Sequence, residues 1–201
     1  MRPALHPSRE LHGAGHLRGS IHLSATENLT KLQLPAGYGR PLGVYWKPSA
    51  KFINELVAFL GSSRVLEVFA GRGYLAAMLA ARGVSIKATT RFAHHDAHEN
   101  GLYYDVEELD AVSAVRQFSA HSDVLLICWP TVTPAAVQAA ELWGAERDIV
   151  YIGEVTSYEK GNLGGCATDL FFERMQFTKQ FESYRGNVME EALVGRYRPV
   201  R

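Results

Sequence analysis

Apolar residues recur at helical spacing between Ala50 and Leu60, where Phe52, Ile53, Leu56, Val57 and Leu60 fall on one face. Ser49 stands where a side-chain oxygen caps a first turn, and Gly61 stands where a helix stops. The period then changes. Arg64 to Phe69 is an apolar run too short for a helix, followed by Ala70-Gly71-Arg72-Gly73 and an Ala- and Leu-rich stretch from Tyr74 to Arg82 that closes at Gly83. The order is strand, glycine turn, helix. A second strand is expected from Val84 to Thr89, then a turn-rich polar stretch from Ala93 to Gly101 and a short strand from Leu102 to Tyr104.

Leu109, Val112, Val115 and Phe118 predict a helix from Val106 to Phe118, and the continuous apolar run Asp123 to Cys128 predicts a strand ending at Trp129-Pro130. Pro134 suits the first turn of a helix reaching Trp143, and Asp148 to Ile152 forms a fifth strand before Gly153-Glu154. Beyond a glycine-rich loop (Gly161 to Gly165) and a short helix (Thr168 to Met175), two strand-like runs remain, Phe177 to Tyr184 and Ala192 to Tyr197. So short a connection cannot make a parallel crossover, so the final pair is expected to be an antiparallel hairpin. The pattern predicts an α/β fold: a Rossmann-like, doubly wound, mostly parallel sheet with a C-terminal antiparallel hairpin. Residues 1–44 show no sustained periodicity and read as an irregular arm; residues 45–201 form the expected domain.

Composition narrows the partners. The chain has 201 residues, 47% hydrophobic, with 21 Lys+Arg against 21 Asp+Glu, so no net charge draws it to a polyanion or an anionic membrane. Four of its eight His and several Arg lie in the arm, but they are scattered, and nucleic-acid binding is not the favoured reading. No apolar run approaches the roughly 18–20 residues that span a bilayer. The first twenty residues carry His, Arg and Gly in place of an apolar stretch. Cys128 and Cys166 lack CxxC spacing. A protein of the reducing cytosol is expected.

Open α/β sheets bind ligands beyond the carboxyl ends of their strands, so the glycine turn is the first place to look for chemistry. Gly71 and Gly73 permit a tight turn and a close ligand approach. Glu67 stands among apolar residues in a strand expected to be central, where burial costs several kcal/mol unless the carboxylate has a partner. Either the turn's N–H groups or a cationic ligand group could supply one.

Leu66-Glu67-Val68-Phe69-Ala70-Gly71-Arg72-Gly73 resembles the first motif of class I S-adenosylmethionine-dependent methyltransferases. The resemblance implies the cofactor S-adenosylmethionine, held with Glu67, Gly71 and Gly73 against its methionine and ribose portions, and a sheet ending in an antiparallel hairpin. The family's usual acid after the second strand is replaced by Thr89-Thr90-Arg91, which leaves Thr90 for the ribose. Asp105 is the candidate for the adenine amino group, with a helix N-cap as its alternative role. Family members that methylate amino groups carry Asn or Asp, two prolines and an aromatic after the fourth strand; here Cys128-Trp129-Pro130-Thr131 keeps the aromatic, Trp129, and one proline. This segment, with Ile152-Gly153-Glu154 and Gly164-Gly165-Cys166, is similar to a group of methyltransferase-like proteins that brings no substrate with it.

Trp129, Glu154 and the Gly164-Gly165-Cys166 loop all follow strands at the same sheet edge, so one pocket is expected to collect them. Glu154 is the candidate catalytic base, its alternative role being a strand-end cap or salt bridge, and Cys166 reads as a small structural residue. His94, His95, Asp96, His98 and Glu99 are adjacent in a loop and read as solvated, so no metal is expected. Three functions compete: methyl transfer to an unidentified acceptor, a nonenzymatic methyltransferase-like binding or scaffold protein, and an NADP-binding oxidoreductase. The last rests on Gly71-x-Gly73-x-x-Ala76 and on Arg91, placed to meet a 2′-phosphate.

Overall fold

The computed structural model describes residues 31–34, 44–46, 48–92 and 96–200. Most of the expected arm, and His94 and His95, lie outside them. Among the described residues before the expected division at residue 45, Leu32 N–H donates to the Leu102 carbonyl at 2.6 Å. Leu34 packs on the core and Val44 is buried in it.

Helix α1 (Ala50–Leu60) begins where Ser49 accepts from the Phe52 N–H and ends at Gly61, whose φ is +54°. Its Phe52, Ile53, Leu56 and Leu60 are buried, which is the face the spacing predicts. There follow β1 (Arg64–Val68), α2 (Tyr74–Ala80), β2 (Ser85–Thr90), β3 (Val106–Glu108) and α3 (Ala111–Phe118). Then come β4 (Val124–Cys128), α4 (Ala135–Trp143), β5 (Ile149–Glu154), α5 (Asp169–Arg174), β6 (Met175–Gln180) and β7 (Glu190–Tyr197).

The sheet has seven strands in the order β3-β2-β1-β4-β5-β7-β6. Pairing is parallel from β3 through β5, and β7 runs antiparallel to both β5 and β6. This is the doubly wound class I methyltransferase fold, with the expected terminal hairpin inserted so that β7 lies inside β6. One face of the sheet packs α1 and α2 through Leu56, Leu79, Val65 and Leu126. The other packs α3, α4 and α5 through Val115, Trp143, Phe171, Leu66 and Ile127.

Two stretches depart from expectation. The strand expected from Phe177 to Tyr184 is β6, Met175–Gln180, and Phe181 to Tyr184 lie outside it. Leu102 to Tyr104 is not a strand, and the expected helix does not start at Val106. Residues Val106–Glu108 form the edge strand β3, in register with Ala88–Thr90 of β2. The α3 N-cap is Asp110, which accepts the Val112 and Ser113 N–H groups at 3.0 Å each. Asp105 therefore does not cap a helix, and it is exposed.

Candidate functional site

Because β1 sits between β2 and β4, the chain leaves it in opposite directions on either side, and a crevice opens beyond the strand ends. A cavity of about 700 Å³ occupies this place. Its wall takes Glu67 and Gly71 from β1 and its turn, Thr90 and Arg91 from the end of β2, and Asp110 from the α3 cap. Trp129 follows β4, Glu154 ends β5, and Cys166 comes from the loop after it.

The β1–α2 turn is built by backbone conformations that side chains disfavour. Gly71 has φ +52° and Gly73 φ +74°. A Cβ on Gly71 would meet no atom within 4 Å, so this glycine keeps space open on the cavity side. A Cβ on Gly73 would stand 2.6 Å from Val106 Cγ2 and 2.8 Å from Tyr104 Cβ, so that glycine serves close packing beneath α2. Two aromatic residues share the left-handed region: Phe69, just past β1, at φ 60°, and Trp129, just past β4, at φ 51°. Each costs about 1–2 kcal/mol relative to ordinary backbone. Both line the cavity, and such strain concentrates where a ligand must be approached closely. Hydrogen bonds from Ala70 N–H to Thr89 and from Trp129 N–H to Ile152 hold the two strained ends in place.

Glu67 is 1% exposed. Its Oε2 has no hydrogen-bond partner among the described residues. Burial alone pushes its pKa up to about 8, which favours the protonated carboxyl at neutral pH. Its neighbours across the sheet are Ala88 on β2 and Leu126 on β4, neither of which can pair with it. Among the described residues nothing offers the Oε2 a partner, so a ligand group in the cavity or loss of charge would relieve it.

A second shelf holds the turn from the other side. Arg72, 4% exposed, donates from Nε to the Gly101 carbonyl at 2.7 Å and from Nη2 to the Asn100 carbonyl at 3.0 Å. Tyr45, stacked against Trp129 at 6.2 Å between centroids, donates its hydroxyl to Asp96. Burial, with the Asp96 carboxylate second, raises the Tyr45 pKa to about 12, so the hydroxyl keeps its proton.

Glu154 Oε2 accepts the Gly165 N–H at 2.6 Å. Cys166 is buried, and burial pushes its thiol pKa up, which disfavours the thiolate a nucleophile needs. Cys128 is raised further, by burial first and then by Glu67.

Of the residues nominated from sequence, Glu67, Gly71, Thr90, Trp129 and Glu154 line the one cavity, while Gly73 and Asp105 do not. Sequence reasoning missed Asp110, whose signal was an acid immediately before Ala111-Val112, obscured by starting the helix too early. It also missed Tyr45 and Asp96 as wall residues, because their pairing joins positions far apart in the chain. The loop of His98 and Asp96, expected to be solvated, is not so at these two residues: both are buried, Asp96 engaged by Tyr45 and His98 by Gly71. Among the described residues no group of three His, Cys, Asp or Glu side chains converges as metal ligands would. Among the same residues no helix is long and apolar enough to cross a membrane.

No protein-family model matches the sequence, and none of the curated proteins matches it significantly. Solved structures do. A mutant of MtNAS in complex with S-adenosylmethionine aligns at 11% identity over 74% of this chain and 62% of its own, with a TM-score of 0.49. TehB from Haemophilus influenzae aligns at 11% identity over 73% and 61%, with a TM-score of 0.48. The magnesium protoporphyrin IX methyltransferase of Synechocystis with bound S-adenosylmethionine aligns at 11% identity over 73% and 78%, with a TM-score of 0.45. The chain thus spans about three fifths of the length of the first two. The fold itself is given by this chain's own strand order, a mostly parallel seven-stranded sheet with β7 antiparallel between β5 and β6.

Proposed function

We propose that this protein binds S-adenosylmethionine in the cavity and transfers its methyl group to an acceptor taken up from the β4–β5 side. The observation that carries the reading is Glu67: a buried carboxyl with an orphaned oxygen, beneath a glycine turn with open space, on the wall of a cavity large enough for a nucleoside and an acceptor together. Glu67 and the Gly71 backbone would hold the amino-acid and ribose end, Thr90 a ribose hydroxyl, and Asp110 the adenine amino group that was first assigned to Asp105. The Asp110 carboxylate is ionised for that task, since Ser113 and Val112 hold its pKa low. Bound, the cofactor supplies a methyl group on a positively charged sulfur. The chain's contribution is to hold an acceptor lone pair in line with that methyl and to keep water out, and the proximity effect this gives needs no catalytic triad. Glu154 would receive the acceptor's proton. Both cysteines are free and buried, which supports a reducing cytosol as the working compartment.

Arg91 lines the same cavity, and this favours an NADP-binding reading enough to include it in the test. Calorimetric titration with S-adenosylmethionine, S-adenosylhomocysteine and NADPH separates the readings. Binding of the two adenosyl compounds alone supports a methyltransferase, binding of NADPH alone supports a dinucleotide enzyme, and silence from all three supports a nonenzymatic module.

A further inference from the structure

At the β4 and β5 end of the cavity wall the acidic side chain is that of Glu154, the last residue of β5, and among the described residues no lysine or arginine from the β4–α4 or β5–α5 connection lines the cavity. Lys160, on the same connection as Gly165, pairs with Glu191 at 2.9 Å. Directly across the β5–β7 register from Glu154 stands Glu190, a second acid. Its partners are the Tyr184 hydroxyl and the Asn187 amide, both neutral. The two acids face each other across the strands, and among the described residues no lysine or arginine forms an ion pair with either.

Glu154 is also held in one pose. Gly165 N–H binds its Oε2 at 2.6 Å, and the Tyr151 hydroxyl donates to its backbone carbonyl. A Cβ on Gly165 would stand 2.8 Å from the same Oε2, and one on Gly164 would stand 2.9 Å from the Glu154 and Val155 backbone, so the two glycines are what allow the loop to clasp the carboxylate. The other carboxylate oxygen receives no hydrogen bond from a described residue. On the same wall are Trp129, whose indole N–H has no partner among the described residues and whose ring stacks with Tyr45, and Thr131 and Thr133.

We infer that the acceptor is a primary or secondary amine carried on an apolar, ring-containing body, with its ammonium seated on the open oxygen of Glu154 and its body against Trp129 and Tyr45. This rests on the methyltransferase reading above and deepens it. A clamped carboxylate without a protein cation favours a cationic donor over a neutral hydroxyl, because charge-assisted hydrogen bonds are the stronger kind. An aromatic wall suits both a ring and the charge beside it. The ammonium gives one proton to Glu154, and the freed nitrogen lone pair forms the new N–C bond. The C–S bond of the sulfonium breaks as it does so, its electron pair stays on the sulfur, and the methylated product leaves as an ammonium while Glu154 returns its proton to water.

Three near-isosteric probes test this by calorimetry with S-adenosylhomocysteine present: phenethylamine, 2-phenylethanol and 3-phenylpropanoate. The amine is expected to bind about tenfold more tightly than the alcohol, the margin between charged and neutral hydrogen bonds, and the acid not at all. Glu154→Gln keeps an acceptor for the Gly165 N–H and so preserves the fold by circular dichroism, and it should erase the amine's advantage. Glu190→Gln, outside the cavity wall, should retain it. An amine that binds no better than the alcohol, or an advantage that survives in Glu154→Gln, overturns the inference. S-adenosylhomocysteine titrated alone separates the two readings. If it binds while the amine preference is absent, the acceptor inference fails by itself. If it is silent, methyl transfer to an amine is overturned even where amine recognition persists.

Discussion

The Nε2 of His98 lies 3.1 Å from the carbonyl oxygen of Gly71. A carbonyl only accepts, so Nε2 donates in this contact, while Nδ1 is buried without a hydrogen-bond partner among the described residues. The ring stacks on Phe92 at 4.2 Å between centroids and 18° between planes. The loop after β2 is thereby pinned to the turn that Arg72 pins from its own side. His98→Ala removes the hydrogen bond and the stack together and is expected to lower unfolding free energy by about 1–3 kcal/mol. Urea denaturation measures this. Affinity for S-adenosylhomocysteine should fall in the same variant, because the Gly71 carbonyl loses its tether; an unchanged affinity would mean that the turn holds its shape unaided.

Glu67 makes stability and binding depend on pH in opposite senses. Its folded-state pKa, near 8, lies above the unfolded value, so between roughly pH 4.5 and pH 8 the folded state holds a proton that the unfolded state has lost. The stability this protonated carboxyl provides is complete below the unfolded pKa and is lost as pH rises toward 8. Glu67→Gln should flatten the fall and leave the ligand-free protein more stable than the parent at pH 8. Binding of a cationic ligand group runs the other way, since it favours the ionised carboxylate and expels the proton. Calorimetry at pH 7 in buffers of different ionisation heat should show close to one proton released on S-adenosylmethionine binding in the parent and none in Glu67→Gln.

Much of this was legible in the chain, and the exceptions share a cause. Helix α1 could be bounded at both ends because Ser49, Gly61 and one apolar face are local signals that agree. Strands β4 and β5 could be found because their central place gives them apolar runs, Val124–Cys128 and residues 149–152, and β1 because Val65, Leu66 and Val68 surround its one buried acid. Strand β3 could not, because it is a three-residue edge with one buried side chain, Val106. The apolar Leu102-Tyr103-Tyr104 stretch drew the assignment instead. Its apolar character has a tertiary purpose: Tyr103 packs against Tyr74 and donates its N–H to the Arg72 carbonyl, and Tyr104 reaches the Ile86 carbonyl. That displacement carried the third-strand acid to Asp105 when the cavity takes Asp110.

The two acids can be told apart. Asp110→Ala loses the α3 N-cap at a cost of about 1 kcal/mol. Asp110→Asn can still cap but lacks the negative charge, so it should keep near-parental stability while weakening adenosyl-ligand binding. Asp105→Ala, at an exposed position away from the cavity, should change neither. Melting temperature and calorimetry on the three variants decide between them, and a loss of binding confined to Asp105→Ala would return the assignment to the earlier position.

The two glycines of the turn differ in what they protect, and the difference can be measured. Gly71 and Gly73 both have positive φ, so an alanine at either position pays the left-handed penalty of about 1–2 kcal/mol. At Gly71 that is the whole structural cost, because nothing lies within 4 Å of the added Cβ. The methyl group points into space that a ligand needs, so Gly71→Ala should fold, melt slightly lower and lose affinity for S-adenosylhomocysteine; Gly71→Val should bind none. At Gly73 the methyl collides at 2.6 Å with Val106 and at 2.8 Å with Tyr104 Cβ, a β-carbon fixed by its own backbone. Relief requires α2 to move off the β3 edge, an overpacking cost of about 1–3 kcal/mol on top of the backbone penalty. Gly73→Ala should therefore be the less stable variant by chemical denaturation. Its residual folded fraction should bind adenosyl ligands better than Gly71→Ala does, since Gly73 is not on the cavity wall. The reverse order of affinities would put the ligand on the opposite side of the turn.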